Sequence, residues 1–92
     1  MSNKQPCING VEMNIGSSIT LDGWCDGCCK GKILKITFTL NHSTKTVEAT
    51  SYTHDGQFVI LPVDQVLSAP YTTEYDAESV CKQLWTNLAM KL

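Results

Sequence analysis

Ninety-two residues, 42% of them apolar and 17% charged, can build one hydrophobic core and leave no room for a second. The net charge is -2 and all seven basic residues are lysines, so the chain lacks the arginine forks that read duplex DNA and exerts no broad pull on a polyanion. Sequence-specific duplex binding is not expected.

Residues 1–5 read as a polar tail. Residues 1–16 hold Lys4 but none of the roughly 7–15 consecutive apolar residues of a secretory signal. The most apolar run, 58–63, falls far short of the roughly 20 residues that span a bilayer. The expectation is a cytoplasmic protein without membrane attachment, whose five cysteines, an odd number, are thiols or metal ligands rather than a disulfide framework.

In chain order, residues 11–15 and 18–25 read as short strands, the second with Ile19 and Leu21 at alternate positions before Gly23. Residues 33–40 give the clearest strand: Leu34, Ile36, Phe38 and Leu40 point one way, Lys35, Thr37 and Thr39 the other. After the turn Asn41-His42-Ser43-Thr44, residues 45–53 are rich in threonine and valine and suit an antiparallel partner. Asp55-Gly56 then predicts a two-residue hairpin turn into a strand over 57–63, pairing Thr53 with Phe58, Ser51 with Ile60 and Tyr52 with Val59. Pro62 requires an edge or a strand end. From Asp76, read as the N-cap, the period becomes helical, and Ala77, Val80, Cys81, Leu84, Trp85 and Leu88 form one apolar stripe. The predicted fold is α+β: one domain over 1–92, an antiparallel meander of three to five strands packed against one C-terminal helix.

The segment Trp24-Cys25-Asp26-Gly27-Cys28-Cys29-Lys30-Gly31-Lys32 is the chemically unusual part of the chain. Trp-Cys-x-x-Cys is shared with thiol redox sites, where a helix N-terminus activates the first thiol, but here a strand follows. Cys25 and Cys28, with Cys29 alongside, have zinc-knuckle spacing. A closed zinc site needs four ligands, and Cys7, Cys81, His42 and His54 are scattered singly. The reading with fewest requirements is a glycine-rich loop whose small thiols pack against Trp24, with no metal or other cofactor. Lys30, Lys32 and Lys35 beside Trp24 form a local basic cluster able to hold a nucleic-acid backbone or an acidic protein surface, the alternative being a solvated strand edge.

Elsewhere the chemistry is sparse. His54-Asp55 sits where the turn needs it, and Glu74, Asp76 and Glu78 read as helix-start residues. Trp85, Leu88 and Met90 read as core before they read as a partner-facing stripe. With no phosphate loop, nucleotide fingerprint or nucleophile elbow, an enzyme is not expected.

Short, single-domain, slightly acidic and without catalytic motifs, the chain resembles the small phage-encoded inhibitors of bacterial defence, in particular anti-CRISPR proteins. These share no common motif, so the resemblance assigns no role to any numbered residue. It implies action in the host cytoplasm by binding a CRISPR-Cas surveillance complex, a ribonucleoprotein, and blocking its access to target DNA. The sequence-level expectation is thus a non-enzymatic binding protein contacting a protein or ribonucleoprotein through Trp24, Lys30, Lys32 and Lys35. A structural zinc-binding module is the alternative, followed by a thiol redox protein.

Overall fold

The computed structural model of the chain describes residues 7–14, 17–24 and 33–91, apart from the side chains of Cys7, Trp24 and Glu74. Strands Cys7–Asn14 (β1), Ser18–Trp24 (β2), Ile33–Asn41 (β3), Thr46–Ala49 (β4), Ser51–His54 (β5), Gln57–Ile60 (β6) and Leu67–Pro70 (β7) precede one helix, Glu74–Lys91 (α1). They form one antiparallel sheet in the order β1-β2-β3-β4-β7, with β5 on β3 and β6 on β5. The α+β class and the C-terminal helix packed on an antiparallel sheet are as expected from the sequence; among the described residues the strands number seven rather than three to five.

The higher count has a local origin. The expected strand over 45–53 is broken by a bend at Thr50, so that β4 pairs with residues 39–41 of β3 while β5 pairs with residues 34 and 35 farther back along it. The expected strand over 57–63 stops at Ile60, because Pro62 has no N–H for a ladder and instead precedes a 3-10 turn, Val63–Gln65. The chain then returns as β7 alongside β4, with Val47 opposite Ala69 and Ala49 opposite Leu67. Leu67–Pro70 is short, ends in proline and lacks β-branched residues, and so gave no strand signal.

The hairpin at Asp55-Gly56 forms as the sequence predicts. Both residues have positive φ, 55° and 81°, as a two-residue primed turn requires, and Thr53 faces Phe58, Tyr52 faces Val59 and Ser51 faces Ile60.

One face of the sheet and one stripe of the helix make the core. Leu34, Ile36, Phe38 and Leu40 on β3, Ile19 and Leu21 on β2, and Val47 and Ala49 on β4 are buried beneath α1. The helix meets them with Ala77, Cys81, Trp85 and Ala89, spaced four residues apart. Three of these side chains are small, so the helix axis can approach the sheet, and Trp85 fills the middle of the space thus defined. Val80, Leu84 and Leu88 flank the stripe and are only partly buried. Leu84 and Leu88 are therefore shoulders of the core rather than its centre, a consequence of the helix lying with its small residues against the sheet.

The helix also starts earlier than the sequence suggests. Thr73 is the N-cap, its hydroxyl accepting the Asp76 N–H at 3.2 Å. Asp76 is the third helical residue and reaches back to accept from the Thr72 N–H at 3.0 Å and the Thr72 hydroxyl at 3.2 Å. The arrangement is a variant of the capping box with aspartate at its far corner.

Candidate binding face

With α1 on one side, the other face of the sheet carries no helix among the described residues. The register arranges its side chains in rows across the strands. Phe58 on β6 faces Thr53 on β5, Thr53 faces Lys35 on β3, Lys35 faces Asp22 on β2, and Asp22 faces Gly10 on β1. Next to this row, Thr37, Thr20 and Glu12 stand in line, and the two threonine hydroxyls share a 3.0 Å hydrogen bond. A third row runs Glu48, Thr39, Ser18, Asn14, where the Asn14 amide donates to the Ser18 hydroxyl at 3.0 Å.

Most of this face is polar, as the solvent side of an antiparallel sheet should be. Three apolar residues break the pattern: Ile33 is 50% exposed, Phe58 67% and Ile60 71%. Scattered exposed hydrophobes need no explanation, but Phe58 and Ile60 are alternate residues of one strand and so project from the same side of it. Sequence reasoning did not single them out: the predicted hairpin register set them opposite the polar Thr53 and Ser51, and only the pairing of Thr53 with Lys35 places that side away from the core residues of β3.

Of the sequence-predicted contact residues, Lys35 is exposed and lies on this face. Its opposite neighbour is Asp22, an arrangement in which opposite charges attract across the strands and soften any cationic patch. Asp22 also leans over Gly10: a Cβ built there would lie 2.9 Å from the Asp22 Oδ1. Trp24 ends β2, in register with Cys7 on one side and Ile33 on the other, so residues 25–32 connect two antiparallel neighbours. Lys30 and Lys32, and the zinc and redox readings of Cys25, Cys28 and Cys29, fall on that connection and lie outside the described residues.

The remaining candidates are dispersed. Cys81 is wholly buried under the helix, and burial, with the nearby Glu78 charge adding to it, pushes its thiol up to about 12. Such a thiol stays protonated and is neither a nucleophile nor a ready metal ligand. His54 is half-buried opposite Leu34, and Asp55 belongs to the turn, as the sequence indicates. His42 shares a 3.1 Å hydrogen bond with the hydroxyl of the buried Tyr71, linking the β3–β4 turn to the start of the helix. Among the described residues no three histidine, cysteine or acidic side chains gather as a metal site, and no helix is long and apolar enough to cross a membrane. A groove of about 320 Å³ lies between the 3-10 turn and the end of α1, with Leu61, Leu67 and Leu88 inside and Asp64 and Lys91 at its rim.

No protein-family model, no curated protein and no solved structure matches this chain.

Proposed function

We propose that this chain is a small non-enzymatic binding protein and that its contact surface is the uncovered sheet face around Phe58, Ile60, Ile33 and Lys35. The observation that carries the reading is the pair Phe58 and Ile60, standing 67% and 71% exposed on the side of the sheet opposite the α1-covered core. Large apolar side chains within a polar surround supply binding energy when a partner removes them from water, and a flanking lysine steers approach more than it adds affinity. The preferred partner class is a protein or ribonucleoprotein. The likeness in type to anti-CRISPR proteins makes a CRISPR-Cas surveillance complex the first candidate, with occlusion of target DNA as the mode of action.

The test is binding of the purified protein to guide-loaded surveillance complexes, read together with the ability of those complexes to engage target DNA. Phe58→Ala with Ile60→Ala should weaken capture at least tenfold while the thermal transition stays in place. Lys30→Glu with Lys32→Glu should weaken it further and flatten its salt dependence if phosphates are touched. Full binding by the Phe58/Ile60 variant would remove this face from consideration.

A further inference from the structure

We infer that β6 is a self-pairing edge, and that two copies of the chain join through it into one continuous antiparallel sheet. Among the described residues β6 has a strand neighbour on one side only, β5. In an antiparallel hairpin closed by a two-residue turn, the residues flanking the turn form a hydrogen-bonded pair and such pairs alternate along the ladder. His54–Gln57 and Tyr52–Val59 are therefore the pairs that exchange hydrogen bonds, and the Leu61 N–H donating to the Thr50 carbonyl at 2.8 Å continues the same phase. By that alternation Phe58 and Ile60 direct both N–H and C=O away from β5, toward the free edge. The two exposed apolar residues of β6 are thus also the two with outward backbone groups.

Natural edges are usually guarded by lysine, proline, a bulge or a covering element. Gln57–Ile60 contains no charge and no proline. The chain beyond it turns toward the end of α1, where Leu61, Asp64 and Gln65 line the groove with Asn87, Leu88 and Lys91, and returns as β7 beside β4, so that no described strand runs along this edge.

The occupant that fits is a second copy. With a two-fold axis through Val59, Phe58 lies opposite Ile60 of the other copy and Ile60 opposite its Phe58. Each pair exchanges both backbone hydrogen bonds, four in all, and sets two apolar side chains together on the open face. No charge on the strand opposes its own image across the axis. Pro62 halts the pairing beyond Leu61, so the contact is short. A contact this short is expected to form a reversible, concentration-dependent dimer rather than one of the stable complexes, which bury roughly 1,200 Å² or more. This inference rests on the edge geometry and needs no partner protein, so it stands or falls separately from the function proposed above.

Sedimentation velocity over a concentration series, with amide hydrogen exchange at both ends of it, tests the pairing. The wild-type mass should rise from 10.1 kDa toward twice that value, and exchange at the Phe58 and Ile60 amides should slow as it does. Phe58→Lys with Ile60→Lys, and separately Phe58→Glu with Ile60→Glu, should each stay monomeric with an unchanged melting transition. Mixing the two variants should restore a one-to-one dimer. A wild type that stays monomeric at every concentration would overturn the inference. So would a dimer that survives in both charged variants, or one that leaves the β6 amides exchanging freely.

Discussion

The indole N–H of Trp85 donates a 3.1 Å hydrogen bond to the backbone carbonyl of Leu34, linking the middle of the helix to the sheet across 51 residues of sequence. Both side chains are completely buried, so the bond forms away from competing water and satisfies the polar atom that makes tryptophan costly in a core.

Trp85→Phe keeps an aromatic ring but removes the donor and leaves a void beside Leu34. Urea unfolding should show a loss of about 1–3 kcal/mol. Trp85→Ala should cost more, about 3–5 kcal/mol. A Trp85→Phe protein within half that lower bound of the wild type would mean that the bond contributes nothing net.

Gly56 has φ of 81°, and nothing lies within 4 Å of a Cβ built on it. Gly56→Ala or Gly56→Val should therefore destabilise through the backbone alone, by about 1–2 kcal/mol. A D-alanine introduced there by chemical synthesis should restore wild-type stability or exceed it. Equal melting temperatures for the L- and D-alanine proteins would contradict the turn.

Gly10→Ala pits a reduced unfolded-state entropy against a contact of 2.9 Å with the Asp22 carboxylate. In the wild-type background the two effects should nearly cancel. In an Asp22→Ala background the same change should be more favourable by about 0.5 kcal/mol or more, read as the coupling in a double-mutant cycle. Strict additivity would show that Asp22 does not occupy the space above Gly10.

Cys81 sets an alkaline limit. Its folded-state pKa is raised from 9.0 to about 12, mainly by burial and further by Glu78, so between these values the unfolded chain releases the proton that the folded chain keeps. The contribution to stability is whole below pH 9 and is lost as pH rises through 12. Cys81→Ala should flatten the stability profile in this window relative to wild type. In thiol titration near neutral pH, Cys81 should react only after unfolding. Rapid labelling of Cys81 in the native protein would show that the helix does not seal it.

Protein produced with added zinc should retain the mass of the bare chain in native mass spectrometry. One tightly held zinc per chain, lost together with the fold on chelation, would instead establish the metal reading of Cys25, Cys28 and Cys29.

What the sequence determined by itself is what covalent geometry and short-range pattern decide. The two-residue period of Leu34, Ile36, Phe38 and Leu40 defines a strand and its inner face, Asp55-Gly56 defines a turn and its register, and the four-residue spacing from Ala77 to Trp85 defines a helix. The place of Lys35 on the outer face follows in the same way. Tertiary structure decided the rest, because it depends on which strands share a lane. The bend at Thr50 emerges only when β4 and β5 divide the length of β3 between them, and Leu67–Pro70 becomes a strand only because β4 offers it an edge. The shift of the cap from Asp76 to Thr73 is local by contrast, since Asp76 accepts from the Thr72 N–H and hydroxyl four residues back and the Thr73 hydroxyl accepts the Asp76 N–H. Asp22 comes opposite Lys35 through the β2–β3 register. Phe58 and Ile60 remain in solvent because α1 packs on the other side of the sheet, where Trp85 and three small residues let it settle close.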